Sequence, residues 1–177
     1  MGEILATGFI PNEDQGTIYA NITTPSGSTL ERTEKVADEI QKVAQRLEGV
    51  ESVSTLAGFS IITDGVGASF GMNLISLKKW EERKYSDKEM IDILTEKTSY
   101  IKDAKIEFMT PPPVPGYGNA SGYELRLLDK TGKGDLKHLE EVAIKFKDEL
   151  EKRPEIANSY TTFDGSYPQI LISIDND

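Results

Sequence analysis

The chain has 177 residues, 37% of them hydrophobic and 28% charged, with a net charge of -10. That composition supports a core for one domain or slightly more and excludes global disorder, while the acidic balance argues against nucleic acid or an anionic membrane face as the main partner. There is no cysteine and a single histidine, His138, which excludes disulfides, thiolate chemistry and a multi-histidine metal site. No apolar run approaches the roughly 18 residues needed for a membrane helix. The opening residues Met1 to Ala6 lack a signal-peptide pattern, so targeting information for an exported parent protein is expected outside this chain.

Thr17 to Thr24 alternates, with Ile18, Ala20 and Ile22 on one face and Thr17, Tyr19, Asn21 and Thr23 on the other, the pattern of a half-buried strand. Pro25-Ser26-Gly27 ends it. Ser28-Thr29-Leu30-Glu31 reads as a capping box opening a helix whose apolar face carries Val36, Ala37, Ile40, Val43, Ala44 and Leu47. Gly49 fits its C-terminal cap. A second strand is expected over Val50–Leu56, then a glycine-rich loop from Gly58 to Gly67, then a third strand over Ser69–Lys79. The loop is apolar where loops are usually polar, with Phe59, Ile61 and Ile62 among its glycines. Ser86-Asp87-Lys88-Glu89 is a second capping box, its helix carrying Met90, Ile91, Leu94 and Ile101, and Lys105–Met109 reads as a fourth strand.

The order β-α-β-β-α-β is the split βαβ, or ferredoxin-like, pattern, expected over residues 17–110. Residues 111–122 lie in a Pro/Gly-rich linker that cannot be regular structure. Residues 123–177 read as a second, incomplete unit: a strand over Tyr123–Asp129, a helix from about Asp135 with Leu136, Leu139, Ala143, Phe146 and Leu150 on one face and an exposed Lys145–Glu149 pair, and a strand over Gln169–Asp175. The fold class is therefore α+β, a ferredoxin-like subdomain followed by a half subdomain (βαβ). In the half subdomain the slot between its two strands is unfilled. Open strand edges invite pairing, so the isolated chain is expected to fill that slot by self-association or by rearrangement.

No catalytic constellation converges. The acidic residues mostly lie beside lysines in helical patterns, a solvated face, and Asp14, Asp64 and Asp164 fall in loops with no linking spacing. His138 sits near a helix start, where a surface histidine is expected. Gly65 to Gly71 lacks the lysine of a phosphate loop and precedes a strand, not a helix. The turn Pro25-Ser26-Gly27 lacks the arginine of an acylphosphatase-like enzyme. Met72, Met90 and Met109 are expected as packing residues rather than soft-metal ligands. No cofactor, metal site or enzymatic activity is expected. What rises above this background is apolar: the Phe59–Val66 loop, the proline-rich stretch with Val114 and Tyr117, and Met72, Leu74 and Tyr19 on outward strand faces, a combination suited to a small-molecule surface gated by a glycine-rich segment.

The stretch Thr7-Gly8-Phe9-Ile10-Pro11-Asn12-Glu13-Asp14-Gln15-Gly16 resembles the segment that follows a transmembrane helix in the hydrophobe- and amphiphile-exporting branch of the resistance-nodulation-division pumps, the acriflavine-resistance type included. The likeness continues through Pro25-Ser26-Gly27-Ser28-Thr29, Glu31-Arg32-Thr33, Val50-Glu51-Ser52-Val53, Gly58-Phe59 and Ile75-Ser76-Leu77-Lys78-Lys79-Trp80, over essentially the whole chain.

This resemblance implies a role. Residues 1–16 would follow a membrane helix, 17–110 would form the first subdomain of the second periplasmic half, and 123–177 would begin the next subdomain up to the docking domain. The two subdomains flank a cleft for lipophilic compounds in that family, divided by a switch loop that here carries Gly58, Phe59, Ser60, Ile61, Ile62, Gly65 and Gly67. Substrate-binding positions carried over are Tyr19, Asn21, Leu56, Phe59, Ile61, Leu74, Met109, Pro111 and Thr161. Ser54, Ile61 and Leu74 stand where aromatics are common, and Thr161 where an arginine can occur, so the pocket is expected to be less aromatic and less cationic than in multidrug members. The resemblance also implies an inner-membrane protein of a Gram-negative bacterium with this part in the periplasm, a homotrimer working with a periplasmic adaptor and an outer-membrane channel, and a proton relay in membrane helices that this chain lacks. The competing expectations are a heavy-metal exporter of the same superfamily, a stand-alone ferredoxin-like binding module, and a small enzyme on that fold.

Overall fold

The computed structural model describes residues 13–62, 65–112, 125–156, 159, 161 and 163–165. The chain divides into two compact units, Met1–Tyr123 and Glu124–Asp177.

In the first unit the elements run β1 (Thr17–Thr23), α1 (Leu30–Ala44), β2 (Val50–Ser60), β3 (Gly65–Leu77), a short 3-10 turn (Trp80–Glu82), α2 (Asp87–Thr98) and β4 (Lys105–Met109). The four strands form one sheet in the order β2-β3-β1-β4, each neighbouring pair antiparallel. This is the expected split βαβ arrangement, with β3 filling the slot between β1 and β2. Both helices cover one face. Ile18, Ala20 and Ile22 of β1, Ile75 of β3 and Phe108 of β4 pack with Val36, Ala37, Ile40 and Ala44 of α1 and with Met90 and Leu94 of α2. Period-2 and period-3.6 apolar patterns meet there, so burial of these side chains supplies the main driving force for the unit.

Helix starts follow local chemistry. The capping box at α2 forms as expected: the Ser86 amide donates to Glu89 Oε2 at 2.8 Å and the Glu89 amide to Ser86 Oγ at 3.3 Å. At α1 the cap falls one residue later than expected. Thr29, not Ser28, is the N-cap, accepting from the Arg32 amide at 3.4 Å. The Ser28 amide instead closes the preceding turn onto the Pro25 carbonyl.

The start of α1 lies very close to the sheet. Thr33 Oγ1 donates to the Ala68 carbonyl at 2.6 Å and lies 2.8 Å from Thr24 Oγ1. A Cβ on Gly71 would stand 2.9 Å from Thr33 Cγ2, so glycine is what permits this approach. Gly71→Ala should force α1 outward and cost about 1–3 kcal/mol, the range for overpacking, read as a lower urea midpoint with an unchanged slope.

In the second unit the described regular element is α3 (Leu136–Glu151), capped by Asp135, whose carboxylate accepts from the His138 amide at 3.0 Å. His138 is exposed at this helix start, as expected. The strand expected over Tyr123–Asp129 is not found in its described part. Leu125, Leu127 and Leu128 are all exposed, so this segment has no buried alternate face to hold it as a strand. The strand expected over Gln169–Asp175 lies outside the described residues. Glu149 pairs with Lys152 rather than Lys145, and Lys147 pairs with Glu151 at 3.1 Å, because i,i+3 and i,i+4 neighbours compete for the same carboxylates.

Candidate functional site

The face of the sheet away from the helices carries two cross-strand rows. Strand register places Ser54, Leu74, Tyr19 and Met109 side by side in one row, and Leu56, Met72, Asn21 and Glu107 in the next. Five residues carried over from the resemblance, Tyr19, Asn21, Leu56, Leu74 and Met109, thus share one face of one sheet. The alternation of β-strands requires this, since each lies at the parity opposite to the core-facing Ile18, Ala20 and Ile22.

The glycine-rich segment is not the loop that sequence suggested. Gly58, Phe59 and Ser60 belong to β2, and Gly65 and Gly67 to β3, leaving Ile61 and Ile62 in the connecting turn. The two strands pair Phe59 with Val66 and Ser60 with Gly65. Glycine content suggested strand ends, but here it builds an irregular hairpin. Gly58 takes φ +85° at a register shift, a conformation glycine adopts without strain. Between the pairs Ala57–Gly71 and Phe59–Val66, β2 uses one residue while β3 uses four, so the hairpin end must bend.

Its direction follows from one hydrogen bond. Ser60 Oγ donates to Asn21 Oδ1 at 2.9 Å. Asn21 sits on β1, two strands from β2 and so roughly 10 Å away across a regular sheet at the usual spacing. The contact therefore requires the hairpin end to fold over β3 onto the helix-free face. This roof explains two burials that alternation alone does not: Asn21 is 2% and Met72 1% exposed although neither α1 nor α2 covers them. Asn21 Nδ2 donates in turn to Glu107 Oε2 at 3.3 Å, and Glu107 Oε1 lies 2.7 Å from Lys105 Nζ. A polar chain from Ser60 to Lys105 thus crosses this face, and Tyr19, Leu74 and Met109 remain half-buried beside it.

Of the other sequence candidates, Phe59 is half-buried on the hairpin and Pro111 is buried just past β4. Thr161 belongs to the second unit, where its Oγ1 accepts from the Phe163 amide at 3.3 Å. The methionines do not converge. Met90, on α2, lies in the core on the other side of the sheet from Met72 and Met109. Among the described residues no group of three or more His, Asp or Glu side chains is placed to hold a metal ion.

A second polar cluster joins the two most telling sequence segments. Arg83 grips Asp14 with both terminal nitrogens, at 2.8 and 2.7 Å, and its guanidinium stacks on Trp80 with 4.4 Å to the ring centre. The amides of Gly16 and Asp87 add bonds to Asp14 at 2.9 and 2.8 Å. Both charged side chains are buried, Arg83 at 1% and Asp14 at 8% exposure. Sequence reasoning missed this pair because 69 positions separate its members. A local signal existed in Asp14-x-Gly16, the spacing of an Asx turn.

Burial pushes the Asp14 carboxyl up, but the Arg83 guanidinium and the two backbone amides outweigh it and hold the group below its ordinary value. For Asp87, burial and then the nearby Asp14 charge push the carboxyl above its ordinary value. A carboxyl raised on folding contributes stability fully present below the unfolded pKa, about 3.9, and lost as pH rises through the folded value. Asp87→Asn should therefore raise the thermal midpoint at pH 7, with the gain disappearing near pH 3; a loss at pH 7 would contradict this account.

Comparison with known proteins gives these segments a context. The model of the AcrB/AcrD/AcrF family matches residues 2–177. The chain is 37% identical over 142 residues to the toluene efflux pump membrane transporter TtgB of Pseudomonas putida, covering 77% of this chain and 13% of that protein. It is 34% identical over 135 residues to the multidrug export protein AcrF of Escherichia coli, covering 73% of this chain and 13% of that protein, and 34% identical over 137 residues to the multidrug resistance protein MdtF of the same organism, covering 75% and 13%. The chain thus spans about an eighth of the length of these relatives, and among its described residues no helix is long and apolar enough to cross a membrane. With residues 2–177 matched by the family model and these relatives all named as transporters or export and resistance proteins, the chain belongs to the AcrB/AcrD/AcrF family of resistance-nodulation-division efflux pumps.

Proposed function

We propose that this chain forms a substrate-facing part of the periplasmic pore of a proton-driven multidrug efflux transporter, with the helix-free sheet face binding lipophilic or amphiphilic compounds and the bent hairpin gating them. The observation that carries this reading is the row of Leu74, Tyr19 and Met109, half-buried on the sheet face opposite α1 and α2, beside a hairpin end folded onto the adjacent row. Small-molecule surfaces combine such apolar area with a few fixed polar groups, and Asn21 and Glu107 supply them. Phe59, Ile61 and Ile62 lie on the hairpin and would move with it; Gly58 at positive φ is the natural pivot. Pro111 would border the same face. Thr161, on the second unit, enters this reading through the resemblance alone.

In the parent transporter this part would work within a homotrimer, with a periplasmic adaptor and an outer-membrane channel, and the energy would enter through membrane helices elsewhere in the protein. The relatives named for toluene and for multidrug export support lipophilic cargo.

The test is made in the full-length parent. Leu74→Ser and Phe59→Ala should each change resistance to lipophilic compounds by several-fold in a compound-dependent way, at unchanged protein level and trimer content. An unchanged profile across chemically distinct compounds for both variants would overturn the reading.

A further inference from the structure

Glu107 is the only acid in the two cross-strand rows of the helix-free face, and its two oxygens are held in different ways. Oε2 accepts from Asn21, which is almost fully buried and is itself fixed by Ser60. Oε1 pairs with Lys105, two residues away on the same strand and on the same side. The carboxylate side chain is 16% exposed and the lysine 49% exposed. One side of the carboxylate is therefore anchored from within, while the other is neutralised by a half-exposed lysine whose ammonium reaches solvent.

Displacing Lys105 without replacement would leave a largely buried carboxylate unpaired, which is unfavourable. Exchanging it for another cation avoids that penalty. Immediately beside Glu107, one row along the strands at about 6.8 Å, Tyr19, Leu74 and Met109 present apolar surface. A molecule with a cationic head and an apolar body about one row away meets both requirements. A neutral amphiphile gains only the apolar part, and an anionic one faces the carboxylate.

We propose that Glu107 is a charge-selecting residue that accepts the ammonium, amidinium or guanidinium head of a cationic amphiphile in exchange for Lys105. This inference rests on the reading of the helix-free face as the substrate surface and adds to it a preferred substrate class.

Binding of dodecylammonium and of dodecyl maltoside, each below its micelle-forming concentration, to the 177-residue chain tests both. The quantity read is the ratio of the two affinities. Glu107→Gln keeps the shape and an acceptor for Asn21 but removes the charge, and should lower the cation-to-neutral ratio roughly tenfold, the scale of one charge-assisted hydrogen bond. Lys105→Met removes the competing ammonium and should raise the same ratio several-fold. Loss of folding cannot produce these opposite shifts. A ratio unmoved by both variants, with the neutral probe still perturbing Tyr19 and Leu74, would overturn charge selection and leave the surface reading standing. Binding of neither probe, or binding that leaves Tyr19 and Leu74 unperturbed, would overturn both.

Discussion

Arg83→Ala should lower the unfolding free energy of the first unit by about 3–5 kcal/mol, the cost of stranding one partner of a buried ion pair. Asp14 is 8% exposed, so water does not readily replace the two guanidinium bonds it would lose. Arg83→Lys should recover only part of the loss, because an ammonium cannot reproduce the two-pronged geometry or the stacking on Trp80. Removing both members together, as Asp14→Ala with Arg83→Ala, should cost far less than the sum of the single changes, since the largest part of each is the partner left behind. The pH dependence gives a sharper criterion. In the unaltered chain Asp14 is depressed, so its contribution is present above the unfolded value of about 3.9 and is lost as pH falls through the folded value. Without Arg83 the burial that raises Asp14 is less opposed, so the difference between the two proteins should shrink as pH falls below about 4. Urea unfolding followed by Trp80, the single tryptophan and a member of this unit, measures all of these. A difference that stays constant down to pH 3 would show that Arg83 acts through packing alone.

What the sequence made legible is what short-range chemistry decides. Ile18, Ala20 and Ile22 announce both a strand and its buried face, and Ser86 with Glu89 announces a helix start, because the information lies within a few residues. The split βαβ pattern, with a slot between β1 and β2 for a third strand, followed from element order. The glycine-rich segment misled because glycine marks loop, bulge and close approach alike: at Gly58 it serves a bulge with positive φ, and at Gly71 it makes room for Thr33. Nor could the polar links be read. Arg83 and Asp14 are 69 positions apart, Ser60 and Asn21 39, and Asn21 and Glu107 86. Their meeting is a product of the completed sheet. The face of the candidate site was therefore legible from strand parity, whereas its roof and its charge were not.

Asn21 is where roof and charge meet, and its two arms can be cut separately. Ser60→Ala removes the donor to Asn21 Oδ1 while leaving the amide bond to Glu107. Asn21→Asp keeps the acceptor for Ser60 but replaces the donor to Glu107 by a second carboxylate. Asn21→Ala cuts both. Leaving buried partners without their bond costs about 1–3 kcal/mol per group, and this bond ties the hairpin end to β1, so the loss should appear locally. In Asn21→Ala and Ser60→Ala, amide exchange of Phe59, Ser60 and Val66 should accelerate by about tenfold or more, while Ile18, Ala20 and Ile75 in the core keep their protection. In Asn21→Asp the hairpin should stay protected, and the damage should fall on the β1–β4 pairing, where the introduced carboxylate and Glu107 repel. Acidification should relieve that repulsion, since protonating one carboxyl restores a donor between them. If hairpin and core amides accelerate together in Ser60→Ala, the hairpin end is part of one cooperative unit and not a separable cover. If only the hairpin opens, the same bond that holds the roof over Met72 is one a gate must break, and the face beneath it becomes available to a ligand once that contact is released.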